Sequence, residues 1–366
     1  MHRKTEALID LNAIQANYAL ACRLAPESRT IAVIKADAYG HGAVDVAHAL
    51  QGSAPAFAVA IIDEALELRE AGISEPLLVM EGVNSISALE CAAEQKLAVV
   101  VHNDKQLDEL ERARLPTPIS VWPKVDTGMH RLGLAPGSLA DAVSRLRASD
   151  NCEDSIVVCT HLASADVPGS AFTRHQLEVF DACVADMGVL QSISNSGGIL
   201  ACPASHRDWN RPGYMLYGIT PFSDDVASAA ELLPAMTLQS EVIATRDVAA
   251  SESVGYGGRW TASSAATIAT VAIGYADGYP RHAPDGTPTI INGCVAPLAG
   301  AVSMDLITID VTGIEGVRIG DTVTLWGEDL SVNTIANAAG TIGYELLTGV
   351  TARVARVKRG SKSHQK

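Results

Sequence analysis

Lys35 closes an apolar run, IAVIK, and passes at once into ADAYGHG. Residues 31 to 34 read as a buried strand, so the amine lies where that strand leaves the core. A lone lysine in such a place usually carries its charge to solvent on an apolar stem. Held in a cleft, the same amine can act as a base or bond a carbonyl carbon. Further along, Lys124, Asp126 and Arg131 lie in KVDTGMHRLG, His161 in THLASAD, Asn195 and Ser196 in NSGG, and Arg211 and Gly213 in RPG. Each has an ordinary reading by itself: NSGG as a turn, RPG as a strand end with a solvated arginine, His161 as a hydrogen-bonded core histidine. Their chemistry depends on whether the fold gathers them.

Eight strand-like runs occupy residues 30 to 218: TIAVIK, AFAVA, PLLVM, LAVVVH, PISVWPKVD, SIVVCTHL, LQSISNS and WNRPGYMLYG. Amphipathic stretches such as IDEALELREAG, stopped by Gly72, separate them. Parallel strands need crossover helices, and eight such units fit an α/β fold, a (β/α)8 TIM-type barrel, with a doubly wound open sheet as the rival. Barrel enzymes build their sites at the C-terminal ends of the strands. Lys35 and Tyr39 follow strand 1; Lys124, Asp126 and Arg131 accompany strand 5; His161 ends strand 6; Asn195 and Ser196 end strand 7; Arg211 and Gly213 lie in strand 8. Loops after strands 7 and 8 are the usual phosphate site of such barrels, and NSGG and RPG offer Ser196 and small residues there. A lysine at one side and a phosphate cradle at the other suggest pyridoxal 5'-phosphate (PLP). Lys35 would hold it covalently, Ser196 and Gly213 would anchor its phosphate, and Arg211 would face its ring nitrogen.

Beyond the acidic segment FSDDVASAAELLP the rhythm changes to strands punctuated by Gly and Pro. This reading divides the chain near residue 225 into a barrel, 1–225, and a mostly β C-terminal domain, 226–366. The N-terminal strand is an element that can pack on the second domain. One short helix is expected over 331–340, between Ser331 and Gly340. Apolar residues at 48%, charged residues at 19% and a net charge of -15 describe a soluble globular enzyme rather than a partner of nucleic acid or acidic membranes. The basic final segment, with Arg353, Arg356, Lys358, Arg359, Lys362 and Lys366, reads as a solvated or frayed tail. No run approaches the roughly 20 apolar residues of a membrane span and the N-terminus lacks a signal-peptide core, so a cytoplasmic location is expected. Seven irregularly spaced cysteines read as reduced thiols, and no HExxH pair accompanies the ten histidines, so neither a disulfide framework nor a metal site is expected.

With these motifs in place, the sequence resembles the alanine racemases, fold-type III PLP enzymes, over nearly its whole length. AVIKADAYGHG, KVDTGMHRLG, THLASAD, NSGG, RPGYMLYG, VGYGGRW, GYADGYPR, VSMD and GYELLT carry the resemblance. It implies PLP on Lys35, with Lys35 the base on one face of the substrate α-carbon and Tyr256, from the partner subunit of a homodimer, on the other. It places His161 between Tyr256 and Arg211. It implies phosphate contacts from Tyr39, Ser196, Tyr344 and the amides of Gly213 and Tyr214, with Asn195 beside them. Arg131 and the Met304 amide would meet the substrate carboxylate. Lys124 matches a lysine often carbamylated in the family, an anion able to orient Arg131. Asp166, Tyr275, Arg281 and Asp305 match the substrate corridor.

Arg211 also bears on the reaction type. A guanidinium does not give up its proton to the ring nitrogen, which keeps the ring a weaker electron sink and favours racemisation over transamination. Decarboxylases on the same barrel resemble it with a carboxylate there. Two departures from the family pattern stand out: Ala301, where many members carry arginine, and Tyr214, where an aliphatic residue is common. Racemisation of serine or a broader set of amino acids, and a non-catalytic PLP-binding barrel, remain the alternatives at this level; VGYGG, GYADG and SMD speak against the second.

Overall fold

The structure is a computed structural model that describes residues 4–223 and 226–360. β1 (Glu6–Asp10) comes first and is followed by a helix, Leu11–Leu24, capped by the Asp10 carboxylate on the amides of Asn12 and Ala13. The barrel then follows as β2 (Arg29–Thr30) with β3 (Ala32–Val33), β4 (Phe57–Val59), β5 (Leu77–Val79), β6 (Leu97–Val101), β7 (Val121–Pro123), β8 (Val157–Cys159), β9 (Leu190–Ser192) and β10 (Trp209–Asn210). Every pairing among them is parallel. β3 to β7 form one run and β8 to β10 with β2 another. The Lys124–Cys159 bridge joins β7 to β8, and β2 and β3 are one bent strand, so the sheet closes on itself. The eight-unit barrel is therefore present, and the open-sheet rival is excluded.

Strand 1 bends because it serves two neighbours. Arg29 and Thr30 pair with β10, whereas Ala32 and Val33 pair with β4. Its apolar side chains are buried on both faces, as a parallel strand between barrel and helices requires.

The second layer is antiparallel. It comprises β11 (Met236–Val248), a two-strand hairpin of β12 (Ser253–Val254) and β13 (Trp260–Thr261), then β14 (Ala266–Val271), β15 (Pro288–Ile291), β16 (Cys294–Pro297), β17 (Ile307–Asp310), β18 (Thr322–Trp326) and β19 (Ala355–Arg359). Met236 to Ser240 alternate buried and half-buried, the signature of a sheet with one face on a core. The helix Val332–Ala339 starts on the Ser331 hydroxyl and ends at Gly340, whose φ is 71°. β1 lies in this sheet, antiparallel to β11 and parallel to β19. The proposed domain boundary near 225 falls on Asp224 and Asp225, outside the described residues.

The basic C-terminal segment needs correcting. Residues 355 to 359 form β19 beside β1, not a frayed tail. Three of its cations are partnered: Arg353 with Asp305 at 2.7 Å, Lys358 with Asp45 at 2.6 Å, and Arg356 with the carbonyls of Gly40 and Val350, each at 2.9 Å. Counting acids within the segment missed partners outside it, 48 residues away for Arg353 and more than 300 away for Lys358 and for Arg356 at Gly40. Lys362 and Lys366 lie outside the described residues.

Candidate active site

Ile34 still bonds the Ala58 carbonyl at 2.8 Å, so Lys35 leaves the sheet at the C-terminal mouth of the barrel. Ala36, Asp37, Ala38 and Tyr39 then all take φ of 52°, a left-handed turn closed by the Ala38 N–H on the Ile34 carbonyl at 2.9 Å. Non-glycine residues pay about 1–2 kcal/mol each for that conformation, so the turn must be held from outside. Glu64 accepts from the amides of Ala36 at 2.6 Å and Ala60 at 2.8 Å, and Asp37 accepts from Ala43 at 2.8 Å. Gly40, at φ 82°, passes so near Leu347 that a Cβ there would strike its carbonyl oxygen. Only glycine fits both conditions.

The turn sends Tyr39 inward, where its ring lies 4.8 Å from Tyr217 and 6.1 Å from Tyr344. Tyr344 in turn stacks on Tyr214 at 3.6 Å, and the Tyr214 hydroxyl donates to Asn333 at 2.9 Å. A Cβ on Gly213 would lie 2.5 Å from the Tyr39 hydroxyl oxygen. Ser196 Oγ accepts the Gly213 and Met215 amides at 3.1 and 3.2 Å. Asn195 caps the helix Ser196–Ala201 through the Gly198 amide and donates to the Leu162 carbonyl, both at 3.1 Å. Burial raises the Tyr39 phenol, and burial followed by the Asp166 charge pushes Tyr344 up to about 12. Both therefore remain hydroxyl donors at neutral pH, as an anion requires.

Arg211 is buried and donates to Ser192 Oγ and the Thr160 carbonyl, each at 2.5 Å, and to the Ile193 carbonyl at 3.3 Å. All three acceptors are neutral. Burial, then the Arg131 charge, lowers the Lys35 amine, with Glu81 and Glu64 opposing. Lys124 is lowered by burial too, with Arg211 and Arg131 adding to it and Cys159 opposing. His161 is held well below the usual imidazole range by burial and then by Arg211, Lys124, Arg131 and Lys35, so it is neutral. On a chain of net charge -15 the barrel mouth is thus a positive well. Arg131 rises from a loop that Asp126 ties down, through the amides of Gly128 at 2.9 Å and His130 at 3.0 Å and the His130 ring at 2.9 Å.

The remaining candidates sit on the β layer. Tyr256 occupies the tip of the β12–β13 hairpin, 74% exposed, among Gly255, Gly257 and Gly258 at φ 76°, 72° and 55°. Tyr275 and Met304 are 39% and 53% exposed and lie on adjacent backbone, where the amides of Tyr275 and Ala276 bond Ser303 at 3.0 Å and Met304 at 2.9 Å. Asp305 is held by Arg353, and Arg281 is exposed. Asp166 is close enough to Tyr344 to raise it. Among the described residues no hydrogen bond joins Tyr256 to Lys35, His161 or Arg211: one chain gathers the barrel candidates and leaves the hairpin tyrosine apart.

Two family models match, "Alanine racemase, N-terminal domain" over residues 9–221 and "Alanine racemase, C-terminal domain" over 235–358. An alanine racemase of Thioalkalivibrio sulfidiphilus is 50% identical over 355 residues, 97% of this chain and 98% of its own. The chain belongs to the alanine racemase family. The solved biosynthetic alanine racemase of Pseudomonas aeruginosa superposes with a TM-score of 0.94 at 45% identity, covering 98% of this chain and 100% of that one. The Bartonella henselae alanine racemase, described with covalently bound pyridoxal phosphate, superposes at 0.89 with 28% identity over 97% and 99% of the two chains.

Alanine racemases are PLP-dependent isomerases, and the site fits that cofactor on its own chemistry. The buried phenol of Tyr39, the half-buried phenol of Tyr344, a serine and a glycine with no room for a side chain form one end; a buried cation whose hydrogen-bond partners are neutral forms the other. Residues that the sequence reading left without a role also shape it. Glu64 sits at the third position of its helix and binds back to the Lys35 loop, Tyr217 lies under Tyr39, and Asn333 holds Tyr214. His41 and Arg356 brace the Lys35 turn. Glu64 alone carried a legible signal, an acid in the first turn of a helix.

Proposed function

We propose that this protein interconverts L-alanine and D-alanine with PLP, using Lys35 on one face of the α-carbon and Tyr256 of the partner subunit on the other. The positive well at the barrel mouth carries the reading. Tyr39, Ser196, Tyr344, the amides of Gly213 and Tyr214, and the Asn195 cap would hold the phosphate, and Arg211 would face the ring nitrogen. When bound, PLP delocalises the electron pair left at the α-carbon on proton removal. Lys35, lowered by burial and by Arg131, has more of the free amine that can accept that proton. Arg131 and the Met304 amide orient the substrate carboxylate; Lys124, carbamylated, would replace an ammonium beside Arg131 with an anion that fixes it. Asp166, Tyr275, Arg281 and Asp305 line the approach.

Racemisation needs a second base, because a single group that removes and returns the proton on one face regenerates the starting enantiomer. Tyr256 is the candidate: exposed in one chain, in a glycine loop, with no hydrogen-bond partner for its side chain among the described residues. In a head-to-tail homodimer it would meet the other subunit's His161, kept neutral by burial and by the charge of Arg211, whose positive field would stabilise the phenolate. The domain division near residue 225 and a cytoplasmic location go with this reading; no described helix is long and apolar enough to cross a membrane.

Incubation with PLP and L-alanine in D2O, followed by chiral chromatography and α-proton NMR, tests it. D-alanine carrying deuterium is the expected product. Deuterium in L-alanine without D-alanine would remove Tyr256 from the scheme, and no exchange would remove alanine as the substrate.

A further inference from the structure

We propose that His41 and Arg356 are positioning residues that lock the left-handed turn bearing Lys35 and Tyr39, one from the end of the turn itself and one from β19 of the β layer. The inference rests on the PLP reading of that turn. A left-handed turn of non-glycine residues cannot continue as a helix, so its carbonyls fall to the amides just beyond it and to side chains: the His41 N–H bonds the Ala38 carbonyl at 3.1 Å and the Gly42 N–H the Asp37 carbonyl at 3.0 Å. His41 Nδ1 lies 3.0 Å from both the Ala38 and the Tyr39 carbonyls. Carbonyls only accept, so this nitrogen carries the hydrogen. Nε2 is buried with no hydrogen-bond partner among the described residues, a loss tolerated while Nδ1–H stays in place.

The same ring stacks on Tyr217 at 4.5 Å, on which Tyr39 also rests, while the Tyr217 hydroxyl donates to the Val33 carbonyl at 3.0 Å, two residues before Lys35. His41 thus touches the strand end and the phosphate-side tyrosine through one intermediary. The next carbonyl, Gly40, is taken by Arg356 Nε at 2.9 Å. That guanidinium also donates to Val350 at 2.9 Å, Thr351 at 3.3 Å and Val354 at 3.4 Å, all backbone oxygens. Lysine cannot reproduce such a fork. Three successive turn carbonyls are therefore held by two side chains, neither with a role in the proton transfers.

His41→Phe keeps the ring stack and loses the donor; His41→Asn can restore a donor; Arg356→Lys keeps the charge and loses the fork. Hydrogen exchange of the cofactor-free protein, PLP titration and visible circular dichroism of bound PLP are the readouts. His41→Phe and Arg356→Lys should each speed exchange at amides 38 to 42 and weaken PLP binding by about tenfold, the worth of one hydrogen bond, with altered dichroism and the barrel strands still protected. His41→Asn should recover part of both. Unchanged exchange at the turn and unchanged PLP affinity in both variants would overturn the proposal, and so would loss of protection throughout the barrel, which would make these residues merely structural. Wild-type protein that takes up no PLP would instead defeat the functional reading, while the exchange experiment still reports on the turn.

Discussion

The barrel mouth and the β12–β13 hairpin carry the two halves of the proposed chemistry and are built in opposite ways. At the mouth, Arg211, Ser196 and Asn195 already hold fixed partners, and the Lys35 turn keeps a costly backbone. At the hairpin, Tyr256 has an open loop around it and 74% of its surface in solvent. A site half preorganised and half exposed is what two chains sharing a site would produce. Preorganisation belongs to the cofactor end, where charge must be met without rearrangement, and the exposed end gains its geometry only on assembly.

The contrast can be broken most sharply at Lys35. Lys35→Ala should abolish racemisation, by about 10⁴-fold or more, together with covalent retention of PLP; racemisation assays and the cofactor's absorbance would check both. Tyr256→Phe should lower α-proton removal from one alanine enantiomer by roughly 10²–10⁴-fold and affect the other far less, while PLP binding stays intact. Equal losses for both enantiomers would mean the hairpin is not a one-sided base. Arg211→Gln should cost roughly 10²-fold in kcat and move the His161 pKa upward, measured by NMR titration, since Arg211 is the largest of the charges depressing it.

Two smaller tests sharpen the preorganised half. Burial lowers His41 to about 4. Above pH 6.5 the ring is neutral folded and unfolded, so its contribution is fully present; between 6.5 and about 4 the unfolded chain binds the proton first, and stability falls with pH by about 3 kcal/mol. Denaturant unfolding at pH 7 and pH 4.5 should show a steeper loss for wild type than for His41→Phe. Tyr214→Phe, which removes only the bond to Asn333, should cost about 1 kcal/mol in thermal denaturation.

How much of this was legible depends on what each residue's neighbours in sequence could reveal. The eight strands and the gathering of Lys35, Lys124, His161, Ser196 and Arg211 at one end followed from periodicity and from where barrels place polar groups. β19 did not, because the acids and carbonyls that seat Arg353, Arg356 and Lys358 come from residues 40, 45 and 305. The left-handed turn was hidden for a different reason: ADAY has no glycine to signal positive φ, and its cost is met by local bonds from His41 and to Asp37 and by a tertiary contact to Glu64. Tyr256 was recognisable by its motif and not by its surroundings, since a single chain gives it none.

The most direct test of a site divided between two chains is complementation. Lys35→Ala and Tyr256→Phe subunits, each inactive alone, would be co-expressed with different tags and the mixed dimer isolated. A mixed dimer with one site holding both native groups should regain up to about half the wild-type racemase activity. An inactive mixed dimer that binds PLP normally would contradict the division of the site between the two chains.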